Sequence, residues 1–279
     1  MRLIYKTLLG SLFFVCNLAV SQTVYTAGEQ QINTIKDILF PNLVIEKVPG
    51  AQGALAWQKV LQNKNSIVIT TTSSTYIAPL ESNYVPGIED PTKETELLAI
   101  LTRSQQAIFV SVKSPINTIT DVKSYDKTWF VGGIGEKGIC SLLMSKLAEK
   151  YKINYTYVPY KLSQQISNDM LGGHIDAHCT TMGALNVGDA YIKNNTGKLI
   201  YTFDKDFDAF ARLFIYANKE LPTETKDQII KSVTRKLTEQ EQLFVKNNNL
   251  TLDIHTKAEA VKIFNYERIF WNNLKKEKK

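Results

Sequence analysis

The chain is poor in the residues that most enzymes and metal proteins are built from. It has three cysteines and three histidines in 279 residues. No Cys-x-x-Cys pair, His-Glu-x-x-His helix or nucleophile elbow occurs, so the usual zinc and acyl-transfer constellations are missing. No glycine loop ends in Gly-Lys-Ser/Thr, which excludes a P-loop. No basic patch interleaved with aromatics is present, which argues against nucleic acid. Beyond the first 20 residues or so, no apolar run approaches the roughly 20 residues a spanning helix needs.

The one long apolar run is N-terminal. Arg2 and Lys6 precede Leu8 to Val20, and Ala19-Val20-Ser21 offers small residues before Gln22. This is the pattern of a secretory signal peptide over residues 1–21. A membrane anchor is the alternative, but the run is short for one. Export to an oxidising compartment permits a disulfide between Cys140 and Cys179 without requiring one. Both lie in apolar surroundings, and two buried free thiols are expected.

The remaining composition is globular, with 44% hydrophobic residues. The excess of 33 Lys and Arg over 27 Asp and Glu is spread along the chain apart from the tail Lys275 to Lys279. That tail reads as a solvated helix end.

One stretch organises the rest. Asn154 to Val158 is a β-rich run that Pro159 is expected to stop, since proline cannot donate to a ladder. Ser163 is placed to cap a helix, and Leu162, Ile166 and Met170 give it one apolar stripe. Gly172-Gly173 ends it, and Ile175, Ala177 and Cys179 alternate as a strand does. A strand, a crossover helix and a strand imply a parallel pair, with the loops Tyr160-Lys161 and Thr180 to Gly183 adjacent at the carboxyl ends. Ligands of such sheets bind there.

Other loops leave strand ends in the same way. Ile67-Val68-Ile69 is a buried strand running into Thr70 to Thr75. Thr71, Thr72, Ser73 and Ser74 can donate to an anion or accept from a sugar, or merely satisfy the loop's own backbone. Trp129 to Gly132 is a strand that enters Gly133-Ile134-Gly135. The helix Ile139 to Tyr151 follows, with Leu142, Leu143, Leu147 and Ala148 facing the core. Backbone N–H groups in such a turn suit an anion. His174, Asp176 and His178 recur at the spacing of metal ligands, but two packed histidines and a structural carboxylate are the expectation, with no metal and no cofactor.

Val158-Pro159-Tyr160-Lys161, the following helix and Leu171-Gly172-Gly173-His174-Ile175-Asp176 resemble the substrate-binding proteins of tripartite tricarboxylate transporters, the Bug family. The family pattern has glycine where Leu162 stands. Pro49 to Gly53 resembles the family's P-G-A-G-G turn. The first family loop has a glycine pair and an aspartate, of which Ala27-Gly28 remains, with Gln30-Gln31 in the aspartate's place. Arg212 falls where many members have tryptophan.

The resemblance implies an α/β fold, the two-lobed periplasmic binding protein (type II) architecture, with a hinge between two Rossmann-like lobes. Lobe 1 is expected over 22–105 and 218–279, and lobe 2 over 106–217. A monomer would take a small organic acid in the cleft and pass it to a membrane permease. The same cleft feeding a signalling receptor is the alternative function. Ala27, Gly28, Thr71 to Ser74, Gly133 to Gly135, Tyr160, Thr180 and Thr181 are the candidate ligand residues.

Overall fold

A computed structural model describes residues 23–26, 32, 35, 39, 44–48, 51–80, 84–182, 187–207, 209–247 and 251–276. The expected signal peptide and Ala27-Gly28 lie outside these residues.

The first half of the chain gives β1 (Thr23–Thr26), β2 (Val44–Lys47), α1 (Ala54–Gln62), β3 (Ser66–Thr71), α2 (Pro91–Glu94) and β4 (Thr95–Thr102). Then come β5 (Ser104–Ser111), β6 (Trp129–Ile134), α3 (Ile139–Tyr151), β7 (Tyr155–Tyr160), α4 (Ser163–Gly172) and β8 (Ala177–Thr181). The last part holds α5 (Val187–Lys193), β9 (Gly197–Thr202), α6 (Asp204–Phe207), β10 (Phe210–Ala211) and β11 (Leu213–Asn218). It closes with α7 (Thr223–Thr234), α8 (Glu239–Asn247), β12 (Leu252–Thr256) and α9 (Lys257–Lys276). No described helix is long and apolar enough to cross a membrane.

The strands form two mixed sheets. One runs β12-β4-β11-β3-β1-β2, and the other β10-β5-β8-β6-β7, with β9 also on β5. In the first, β1 is parallel to β2 and β3, while β11 is antiparallel to β3. In the second, β6 is parallel to both β7 and β8. Val24, Ile67, Ile69 and Ile215 pack with the buried helical residues Ile32, Ile35 and Leu39. Trp129, Val131, Leu143 and Leu147 fill the space under α3.

The chain changes sheets twice, at Arg103 between β4 and β5 and at Arg212 between β10 and β11. The anticipated boundary at 217 falls inside β11, which belongs to the first sheet. The two crossovers touch: the Leu213 N–H donates to Thr102 Oγ1 at 3.2 Å. Arg103 lies over the Phe210 ring at 3.7 Å. Arg212 is buried, and its guanidinium donates to Glu267 at 2.5 Å and to Asp253 at 2.7 Å. Burial opposes its charge, but the two carboxylates outweigh that and hold it above its ordinary value.

The strand–helix–strand unit departs from expectation in four ways. β7 is not stopped by Pro159 but runs through it to Tyr160, which an edge strand permits. β7 and β8 are not paired, because β6 lies between them. The crossover is long enough to step over one strand. Leu162 is not in the apolar stripe: it is extended, at φ −134°, and 61% exposed, while Ile166 and Met170 are buried. Ser163 is the first helical residue rather than a side-chain cap, and Gly173 ends the helix at φ 80° as anticipated.

The cysteines are the largest correction. Cys140 and Cys179 form a disulfide, with Cα atoms 5.9 Å apart. The cause is local. Gly133, on the strand between them, has no side chain, and a Cβ there would lie 3.0 Å from Cys140 Cβ. The start of α3 therefore settles low over β6, and Cys140 reaches β8.

Candidate functional site

The hydroxyl loop is more ordered than its composition suggests. Strand β3 continues through Thr71, and Ser73–Ile77 is a single π-helical turn. Its hydroxyls have distinct tasks. Thr70 and Thr75 bond each other at 2.8 Å. Buried Thr72 accepts the Arg212 N–H at 2.8 Å and donates to the Phe210 carbonyl at 3.4 Å, which ties the loop to the second crossover. Ser74 donates to the Gln52 carbonyl at 2.9 Å. Thr71 Oγ1 is 3.4 Å from Ser74 Oγ. Ser73 reaches the other sheet: its Oγ accepts the Ile139 N–H, the first residue of α3, at 3.4 Å.

The facing wall is the glycine-rich end of β6, which continues through Gly133 and Ile134, and the turn after it. The Gly135 N–H donates to the Tyr160 carbonyl at 3.0 Å, and the Tyr157 hydroxyl donates to the Gly135 carbonyl at 3.1 Å. Gly135 has φ +72°, which glycine adopts freely. Gly133 is favoured by crowding, since a Cβ would run into the Tyr157 hydroxyl and lie 3.0 Å from Cys140 Cβ. Ile134 is 44% exposed, so this wall offers apolar as well as polar surface. Burial pushes the Tyr157 hydroxyl up, keeping it a neutral donor.

Strand alternation separates the two threonines. Thr181 shares the Cys179 face, toward α3, and Thr180 shares the His178 face. Thr181 pairs with buried Gln106 and Thr180 with Ala107. Tyr160 is placed at a strand end, but its hydroxyl donates to Asp169 of α4 at 2.6 Å. Burial, then Asp169, pushes that hydroxyl up to about 12.

The three residues at metal-ligand spacing go three ways, and of the two histidines expected to be packed only His178 is. Asp176 accepts the Phe130 N–H at 2.8 Å and the Tyr125 hydroxyl at 3.2 Å. His174 is exposed, and His178 is fully buried against the Tyr191 hydroxyl at 2.7 Å. Tyr191 donates to Ser167, and Ser167 to the Ser163 carbonyl. Burial holds the His178 pKa down at about 3, so the imidazole is neutral. Among the described residues no group of three side chains is placed to hold a metal.

Gln52 was not among the sequence candidates. It occupies the turn before α1 at φ 53° and ψ 31°, a left-handed conformation that costs a non-glycine residue roughly 1–2 kcal/mol. Its carbonyl is held by Ser74 and by the Tyr84 hydroxyl at 2.8 Å. The available signal was a glutamine at the fourth position of a turn whose other members are Pro, Gly, Ala and Gly.

The geometry is that of two strand-end loop systems meeting between two sheets. Known proteins share the fold that places them. A Rhodopseudomonas palustris structure with adipate superposes with a TM-score of 0.79 at 13% identity, covering 93% of this chain and 98% of that one. MatC from the same species with bound malate gives 0.75 at 14% identity, covering 92% and 99%. These likenesses establish the two-lobed periplasmic binding protein fold. A "UPF0065 protein in gbd 5'region" of Cupriavidus necator is 26% identical over 143 residues, which is 50% of this chain and 43% of that protein. The chain thus matches less than half the length of that relative. The model of the "Tripartite tricarboxylate transporter family receptor" matches residues 29–227. The chain therefore belongs to the tripartite tricarboxylate transporter receptor family, a family of periplasmic solute-binding proteins.

Proposed function

We propose that this protein captures a small organic carboxylate between its two lobes in the periplasm and delivers it to the membrane permease of a tripartite transporter. Residues 1–21 direct export, and the mature chain acts as a monomer without catalysis. The lobes divide at Arg103 and Arg212, where the chain changes sheets. The observation that carries the reading is the contact of Ser73 Oγ with the Ile139 N–H, because it brings the strand-end loops of both sheets to one place. A ligand touching both walls stabilises the closed arrangement differentially, and hinge closure follows.

Neutral donors suit such a ligand. Backbone N–H groups at the start of α3, Thr181 and Ser73 supply hydrogen bonds without a buried counter-charge, and water completes them. The relatives solved with adipate and malate make dicarboxylates the first compounds to try.

The test is a thermal-shift and calorimetric screen of malate, adipate, other organic acids, amino acids and sugars. A ligand at a hundred times its Kd adds about 2.7 kcal/mol, a melting rise of roughly 5–10 °C for a chain of this size. Thr181→Val should weaken that ligand by about 1–3 kcal/mol, and more than Thr180→Val does. A sugar or amino acid binding where no organic acid binds would overturn the carboxylate assignment.

A further inference from the structure

Gln52 lies on lobe 1, yet its carboxamide rests against lobe 2. A Cβ built on Gly135 would be 3.2 Å from Gln52 Nε2 and 3.7 Å from its Cδ. The amide group therefore covers the open side of the glycine in the facing loop. Both ends of this contact are fixed. On lobe 1, Ser74 and Tyr84 hold the Gln52 carbonyl. Gly53 follows at φ +98°, packed so tightly that a Cβ would meet Ser74 Oγ at 2.7 Å. On lobe 2, Tyr157 and the Tyr160 carbonyl hold Gly135. Held left-handed backbone at a non-glycine residue directs attention to function. Here the left-handed turn sets the direction in which the side chain leaves lobe 1.

We propose that Gln52 is a positioning residue, a clasp whose carboxamide crosses the cleft to Gly135 and biases the lobes toward closure. This rests on the reading of the cleft as a ligand-capture site. The contact exists only when the lobes are together, so it raises the closed fraction and, through it, the apparent affinity. A neutral amide does this without placing a charge beside an incoming carboxylate. The clasp acts through lobe closure and not through contact with the ligand.

Gln52→Gly and Gln52→Asn separate the clasp from a merely structural turn. Both accept the left-handed conformation, and both shorten or remove the reach to Gly135. The melting temperature should hold or rise in each. Small-angle scattering of the protein without added ligand should give a larger radius of gyration than wild type. Calorimetry with malate and adipate should give a Kd about 5–10-fold weaker. Unchanged scattering in both variants overturns the clasp, whatever the Kd does. Larger radii with weaker binding support it. If neither malate nor adipate binds wild type, the scattering alone decides the clasp, and the dicarboxylate reading fails separately. Should the glycine variant fail to fold, the asparagine variant carries the same comparison.

Discussion

The two halves of the cleft are braced by different chemistry. The lobe 2 wall is held mainly by neutral and covalent means: the disulfide under Gly133, the Tyr157 hydroxyl and Tyr160 carbonyl on Gly135, and the chain from His178 through Tyr191 and Ser167. Lobe 1 is held by charge, both at the hinge and at the far end of β4. Arg212 binds Glu267 and Asp253, and Arg268 pairs with Asp90. Buried charge suits a place where chain segments must keep a fixed relation while domains turn about them. A neutral wall suits a site that must accept an anion without competing for it. The two sides should therefore fail under different perturbations.

The hinge should show the largest effect. Arg212→Leu leaves Glu267, 8% exposed, without its guanidinium and removes a partner from Asp253. Breaking such a pair on one side costs about 3–5 kcal/mol. Urea unfolding should show a lower midpoint at unchanged slope. A loss under about 1 kcal/mol would mean that the ion cluster does not brace the hinge.

The disulfide should come next. Closing 39 residues of chain constrains the unfolded state by about 4 kcal/mol in the loop-entropy account, and less where the reduced form relaxes. Cys140→Ser with Cys179→Ser should lose about 2–4 kcal/mol. Hydrogen exchange should rise at residues 133–141 and 177–182, and stay unchanged at the Arg212 crossover. Equal loosening of both sides would break the contrast drawn here.

How much of this was legible in the sequence differs by level. Most of the element order was readable because periodicity and punctuation agreed: Gly172-Gly173 stops α4, and the apolar positions of α3 are buried as their spacing indicates, whereas the short strands β10 and β12 do not stand out in this way. Strand order was not readable, because a crossover of this length permits pairing or stepping over a neighbour equally well. The disulfide was hidden by the same fact. Cys140 and Cys179 meet only because Gly133 lets a helix settle onto β6, which is a property of three separate segments. The site was legible as a set of strand-end loops but not as roles. Composition shows Thr72 and Ser73 as equivalent hydroxyls, whereas one is bonded to the hinge and the other reaches α3.

Acid should separate the two sides by pH window. The folded His178 titrates at about 3 against an ordinary value near 6.5, so below 6.5 the unfolded chain binds the extra proton. Its contribution is fully present above pH 6.5 and is lost as pH falls toward 3. The slope is about 1.4 kcal/mol per unit, or roughly 2 kcal/mol by pH 5. Asp90 and Asp253 behave differently. Burial works to raise both, but Thr92 and Arg268 on one, and Arg212 and His255 on the other, hold them below the ordinary carboxylate value. Their contribution persists until about pH 4 and is lost below it. His178→Gln should flatten stability between pH 6.5 and 5 and leave the loss below pH 4 intact. A slope unchanged by His178→Gln would show that the imidazole is not buried neutral.

The smallest effect tests the line between support and binding within lobe 2. Tyr160 stands where a ligand residue is expected, at the carboxyl end of β7. Its hydroxyl is instead directed to Asp169, and its backbone carbonyl to the Gly135 N–H. Tyr160→Phe removes the first of these and keeps the second, because the backbone is unchanged. The lost bond has a carboxylate acceptor, but both side chains are half-buried, so water replaces part of it. A stability loss of about 1 kcal/mol follows. The glycine loop keeps its backbone anchor, so the Kd of a bound carboxylate should change by less than about twofold, near 0.4 kcal/mol. Thr181→Val should show the reverse pattern, with weaker binding and little change in melting. If Tyr160→Phe weakens binding tenfold while melting is unchanged, the hydroxyl leaves Asp169 for the ligand on closure. Tyr160 would then count among the binding residues of the wall.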